Sequence, residues 1–240
     1  INTKNEVVIP LIYDYTWHFD DYGLAKVRQG EKYGFINRKN EVVIPLIYDI
    51  SLNFEESGLA AVKQGEKWGA INRKNEVIIP IIYDQFWDGD EDVIFWDLFD
   101  ESGLALVRQG EKWGFINTSG RFVIEPRFDD KPDIFHEGLV RIAVKTAGFR
   151  GKVTMYGFAD VQGELLIPPV YRDAGYFSYW LAPARIDNKY GYIDKTGRFV
   201  IEEIFDHALN FSNNRALVCL NQKWGIIKHP LYANSLNEYL

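Results

Sequence analysis

Seven carboxylates, Asp88, Asp90, Glu91, Asp92, Asp97, Asp100 and Glu101, fall within residues 85–102 among eight large apolar side chains, with no Lys or Arg between them. Such a segment suits several chemistries. The alternation Asp88, Asp90, Asp92 has the spacing of the first ligands of a calcium loop. Val93, however, stands where that loop needs Gly, and Phe99 where it needs a closing Glu. Two carboxyls held about 5–9.5 Å apart in a cleft would form a glycosidase pair, with Asp90, Asp92 or Asp97 as the candidates. Recognition is a further use: Phe86, Trp87, Phe95, Trp96 and Phe99 have the size of interface anchors, and the acids around them would steer a basic partner. The plainest use is packing, with the aromatic rings folded back as a satellite core and the acids solvated.

Other reactive residue types lack partners. His18, His136, His207 and His229 share no spacing with each other or with Cys219. His18 and His207 fall in linkers where exposure is expected, and Cys219 reads as a small core residue of an apolar strand. No His-Glu-x-x-His, phosphate loop or Gly-x-Ser-x-Gly elbow occurs. Asp14, Asp49, Asp84, Asp129 and Asp206 recur after an aromatic residue, but no second carboxylate or His recurs beside them. Their expected role is to tie a linker to backbone N–H groups. These residues imply no catalytic residue, metal or cofactor.

The elements that position these residues come from a repeat. GLAKVRQGEKYGFINRKNEVVIPLIYD at 23–49 returns at 58–84 and at 103–129, and diverged copies follow. An aromatic–Gly pair marks each copy: Tyr33-Gly34, Trp68-Gly69, Trp113-Gly114, Tyr156-Gly157, Tyr190-Gly191 and Trp224-Gly225. Their spacings of 35, 45, 43, 34 and 34 give a basic period near 35, lengthened twice. A residue pair kept in every unit must first meet the packing needs of every unit. A flat ring with Gly beside it predicts close backbone approach.

Each unit predicts a three-stranded antiparallel meander. Gly30-Glu31 and its equivalents form a two-residue turn, with Gly, Asp or Asn first. The second turn ends on Asn5, Asn40, Asn75, Gly120, Gly163 or Gly197, the residue types that enter the left-handed region cheaply. That selects a type I turn with a bulge. Helix is expected only as a short turn in the linker after the aromatic–Asp pair or in the tail 234–240, because no apolar stripe of helical period is sustained.

These residues resemble the WG-repeat family. The Gly-Leu-Ala start, the Lys-Trp-Gly centre at 67–69, 112–114 and 223–225, the Asn/Asp to Gly/Asn turn and the Ile-x-Pro-x-x-Tyr-Asp ending carry the resemblance over nearly all of 1–227. Tyr replaces Trp at 33, 156 and 190, and Arg172 displaces the usual Asp. The resemblance implies a bacterial, β-rich binding or scaffolding module without a shared catalytic residue. It also favours an open array, because copy number varies in the family and rings tolerate few copy numbers.

The expected fold is therefore all-β. Six units, at about 1–35, 36–70, 71–115, 116–158, 159–192 and 193–227, form an open twisted β-superhelix, and 228–240 is a tail. A six-bladed propeller-like ring is the alternative, because Ile1 and Ile227 occupy the same phase of the repeat. The chain of 240 residues opens on INTKNE without Met, which reads as a fragment or processed product. No apolar run reaches the ~20 residues of a membrane span. A net charge of −7 argues against broad nucleic-acid binding. The insertion at 85–102 alone matches that charge, so the rest of the chain is balanced.

A second insertion, 143–155, lengthens a hairpin by about 8 residues and carries Lys145, Phe149, Arg150 and Lys152. Its basic charge opposite the acidic insertion invites a pairing of the two. The expected function is binding of a protein or peptide through Phe86, Trp87, Asp88, Asp90, Asp92, Phe95, Trp96 and Phe99, with Phe149 and Arg150 beside them. Glycan binding on exposed Trp and Tyr rings is the alternative, and a carboxylate-based hydrolase comes third.

Overall fold

The computed structural model describes residues 9–86, 98–148 and 151–230. Among the described residues six small antiparallel sheets follow one another in sequence, and none closes into a barrel. The first contains Tyr15–Thr16, Leu24–Gln29, Lys32–Asn37 and Val42–Tyr48, hydrogen-bonded in chain order. The second repeats it with Ile50–Ser51, Leu59–Gln64, Lys67–Asn72 and Val77–Tyr83. The chain divides into two compact units, Ile1–Pro126 and Arg127–Leu240. No described residue lies in an α-helix.

The meander is as expected, and the linker differs. Except between residues 129 and 138, it supplies a two-residue strand rather than a helical turn, and the tail 234–240 lies outside the described residues. Ile50 and Ser51 pair with Lys63 and Val62 of the next hairpin. Asp49 N–H and Leu52 N–H donate to Lys63 and Ala61 carbonyls on either side. Pairing with a strand already in place satisfies linker amides that an isolated helical turn would leave to water.

Turn chemistry follows residue type. Gly30, Gly65 and Gly110 open the first turn at φ +61°, +61° and +64°. Asn221 and Gln222 are both at positive φ, as a type I′ turn requires. In the second turn Asn40, Asn75, Gly120, Gly163 and Gly197 all adopt φ between +63° and +81°. The residue that opens that turn, Asn37 in the first copy, accepts N–H groups from Lys39 and Glu41 at 2.9 and 3.0 Å. This Asx geometry locks the turn locally.

Leu24, Ala25 and Val27 do not alternate cleanly with polar residues, because both faces of this first hairpin strand are buried. Leu24 packs towards the second sheet with Phe35, Ile44, Ala60 and Val62. Ala25 and Val27 face the other way, with Ile36, Ile9 and Tyr13. In the second sheet Ala60 and Val62 face the first sheet, while Leu59 and Ala61 face Trp68, Val107 and Ile116. The second compact unit is built alike. Leu139, Phe158 and Tyr171 pack on Ala182 and Ala184, and Leu181 and Tyr192 pack on Ala216 and Val218.

Candidate functional site

The aromatic–Gly pairs answer the third strand. A Cβ on Gly34, Gly69, Gly114, Gly157 or Gly191 would lie 2.3–2.6 Å from a carbonyl oxygen of that strand. The register slips there: Tyr33 opposes Tyr48, yet Phe35 opposes Ile44, so a bulge brings the backbones together over Gly34. Trp68 and Trp113 are 7% exposed. Lys63 and Arg108 lie over these rings at 5.9 and 5.8 Å, and Arg185 over Tyr190 at 5.2 Å. The rings are packing elements, with one exception.

The repeated Asp joins successive sheets. One oxygen of Asp49 accepts from Lys32 Nζ at 2.5 Å, and the other accepts from Gly65 N–H in the next hairpin turn at 2.7 Å. Asp84 does the same with Lys67 and Gly110, at 2.6 and 2.8 Å. Asp206 pairs with Lys189, and Asp14 binds Gly30 N–H at 2.6 Å. The lysine hydrogen bond holds the carboxyls of Asp49, Asp84 and Asp206 below the usual range, helped by turn N–H groups. The tie to backbone N–H was anticipated. Its partner, a turn in the next hairpin sixteen residues downstream of Asp14 and Asp49 and twenty-six downstream of Asp84, was not.

A second tie runs parallel to it. Tyr13 and Tyr48 hydroxyls donate to Asn40 and Asn75 of the following unit at 3.0 and 2.8 Å, and Tyr171 donates to the Gly197 carbonyl at 2.7 Å. The left-handed turn residue thus serves both its own turn and its neighbour.

The insertion at 85–102 is held at both ends. Phe86 is 1% exposed and Phe99 8%, and with Leu98 they join the core formed by Trp68, Tyr83 and Val107. Leu98 N–H donates to Glu55 Oε2 at 2.7 Å, and Asp100 Oδ1 accepts Ser102 N–H at 2.8 Å. Phe86 and Phe99 are therefore anchors of the insertion rather than exposed rings. Trp87, Asp88, Asp90, Asp92, Phe95 and Trp96 lie outside the described residues.

The second insertion forms the long hairpin Leu139–Gly148 and Gly151–Asp160. Phe149 and Arg150 lie outside the described residues. Lys145 is engaged within its own compact unit, donating to Asp130 at 2.6 Å. That hydrogen bond holds the ammonium above its ordinary pKa.

Two places escaped sequence reasoning. Lys26 is 7% exposed, with Nζ on the Ser51 carbonyl at 2.9 Å and over the Trp17 ring at 3.9 Å. Burial lowers its ammonium to about 8. It stands where Ala61 and Leu106 stand in the next copies, and that break in the apolar pattern was the available signal. The other place is a groove of about 330 Å³ lined by Asp173, Tyr190, His207, Leu209 and Trp224. His207 stacks on Trp224 at 6.0 Å with planes 13° apart, and Tyr190 donates to Asp173. Burial, then the Asp173 carboxylate, pushes the Tyr190 phenol up to about 12. Trp224, 58% exposed, is the exception among the repeat rings. Its signal was the Lys-His-Pro sequence at 228–230, where other copies continue into a turn and third strand.

Among the described residues no three His, Cys, Asp or Glu side chains group as a metal site, and no helix is long and apolar enough to cross a membrane. Cys219 is buried in the strand Arg215–Leu220.

The pattern of the WG containing repeat matches residues 1–33, 33–68, 68–95, 113–146, 156–190 and 190–224. The chain belongs to the WG-repeat family. No curated protein matches it. Among solved structures it is similar to Hsv2p of Kluyveromyces lactis, at 11% identity and a TM-score of 0.37, over 89% of this chain and 73% of that one. It is also similar to a eukaryotic initiation factor at 9% identity and 0.43, over 93% and 64%. The CNH domain of AfRom2 aligns at 8% identity and 0.33, over 90% and 84%. In this WG-repeat chain the repeated Gly packs the second strand on the third within a sheet, and the Asp and Tyr positions tie one unit to the next.

Proposed function

We propose that this WG-repeat chain is a non-enzymatic module that binds a protein or peptide. The observation that carries this reading is a repeated aliphatic rim. Third strands form the outer edge of the first five sheets. They hold Val42, Ile47, Val77 and Ile82 exposed in the first compact unit, and Leu165, Val170, Val200 and Ile204 in the second. Exposed aliphatic residues on a strand edge suit an extended or apolar partner. Recurrent side chains able to do chemistry, Asp14, Asp49, Asp84 and Asp206 with Tyr13, Tyr48 and Tyr171, are engaged in ties from one unit to the next.

The finer proposal places the docking site on the acidic insertion. Phe86, Leu98 and Phe99 fix its ends, and Trp87, Asp88, Asp90, Asp92, Phe95 and Trp96 supply the contacts. Phe149 and Arg150 are the second candidate contact. Acids around aromatic anchors select a basic partner. The test is crosslinking capture from a lysate of the source cell, using the parent chain and one whose residues 88–96 are a Gly-Ser linker. Capture of a basic protein by the parent, lost in the linker form at equal fold by circular dichroism, supports the site. Equal capture by both overturns the site, and no capture by either overturns the module reading.

A further inference from the structure

Among the described residues the last sheet lacks the third strand that each of its siblings has. In the first two sheets the third strand sets Tyr48 opposite Tyr33 and Ile44 opposite Phe35, then Tyr83 opposite Trp68 and Ile79 opposite Ala70. That strand buries the second one. Phe35, Ala70, Phe115, Phe158 and Tyr192 are all buried, while Ile226 at the same position is 63% exposed. A Cβ on Gly225 would meet nothing within 4 Å, against 2.3–2.6 Å at the five sibling glycines. Among the described residues no strand lies on the outer edge of Lys223–Lys228.

The complementary half stands near the start of the chain. Residues 6–14, EVVIPLIYD, are identical to residues 41–49, which contain the third strand Val42–Tyr48. Residues 9–14 already make the forward contacts of a third strand. Tyr13 hydroxyl donates to Asn40, as Tyr48 does to Asn75. Asp14 accepts Gly30 N–H, as Asp49 accepts Gly65 N–H. Yet among the described residues no hairpin pairs with the other edge of residues 9–14, which form no strand, and Leu11 is 93% exposed.

We propose that copies of this chain associate by strand addition. The segment Ile9–Tyr13 of one copy lies antiparallel on Lys223–Lys228 of a second copy, with Tyr13 opposite Trp224 and Ile9 opposite Ile226. The occupant is named by sequence: it is identical to a strand that fills this place in the first sheet. Main-chain hydrogen bonds supply affinity, and covering Trp224 and Ile226 supplies apolar burial. Because the two surfaces differ, the contact is heterologous, and assembly continues beyond a dimer unless a ring closes.

The test is sedimentation velocity of this 240-residue chain from about 1 to about 100 µM. The expected result is a weight-average mass that rises with concentration and falls when a peptide of residues 5–14 is added. Gly225→Val puts a branched side chain where the docking backbone must cross. It should weaken association on the order of tenfold or more, with an unchanged far-ultraviolet spectrum. A chain that stays monomeric throughout overturns the proposal, as would occupation of the edge by the chain's own segment. Association indifferent to the peptide, which needs no substitution to test, also overturns it. So does association unchanged in a folded Gly225→Val chain.

Discussion

At Gly69 a methyl group would lie 2.6 Å from the Ile79 carbonyl oxygen, inside any acceptable contact. Gly69→Ala should therefore cost about 2–3 kcal/mol in urea unfolding. Gly225→Ala, at the equivalent position, should stay within about 0.5 kcal/mol of the parent. Lys26 makes a prediction of opposite character. Its folded pKa, about 8, lies below the ordinary 10.5. Between those values the unfolded chain binds more protons, so stability rises with pH there, by at most about 3 kcal/mol. Below about pH 8 both states carry the charge and the contribution is constant. Lys26→Met should flatten the rise, as read from melting at about pH 7, 8.5 and 10. At this scale the left-handed turn residues were legible, because φ preference is a property of one residue. The burial of Lys26 was not, because the ring and carbonyl that hold it, Trp17 and Ser51, come from segments outside its own strand.

Hairpins and their bulges follow from short-range pattern, and the meander was readable at the level of elements. The linker strands were not. Two residues such as Ile50 and Ser51 carry no period, and their pairing depends on the edge offered by Leu59–Gln64. The acidic insertion was readable as an insertion but not as anchored, since nothing in its composition separates Phe86 and Phe99 from Phe95. Anchoring makes a prediction about this element. Phe86→Ala should destabilise the chain by about 3–5 kcal/mol, because it empties a buried site beside Tyr83 and Trp68. Replacing 88–96 with a Gly-Ser linker of equal length should change stability by less than about 1 kcal/mol. Thermal melts of the two variants decide between anchor and loop.

For the whole molecule, six copies were visible in the sequence because the repeat returns with nearly constant spacing. The unequal burial of the copies was not, since Trp224 and Trp113 sit in the same Lys-Trp-Gly triplet. Their difference lies in what packs next to them. The Lys–Asp tie varies along the chain in the same way. Lys32 with Asp49 and Lys67 with Asp84 are matched pairs, but in the fourth copy both members are gone together, leaving Met155 and Arg172. In mechanical terms each matched pair is a rivet between consecutive sheets, loaded in shear when the chain is drawn out from its ends. Under slow pulling, the sheets on either side of Arg172 should part at lower force than those joined through Asp49 or Asp84. A chain of near-identical copies would then unravel in a set order rather than at random.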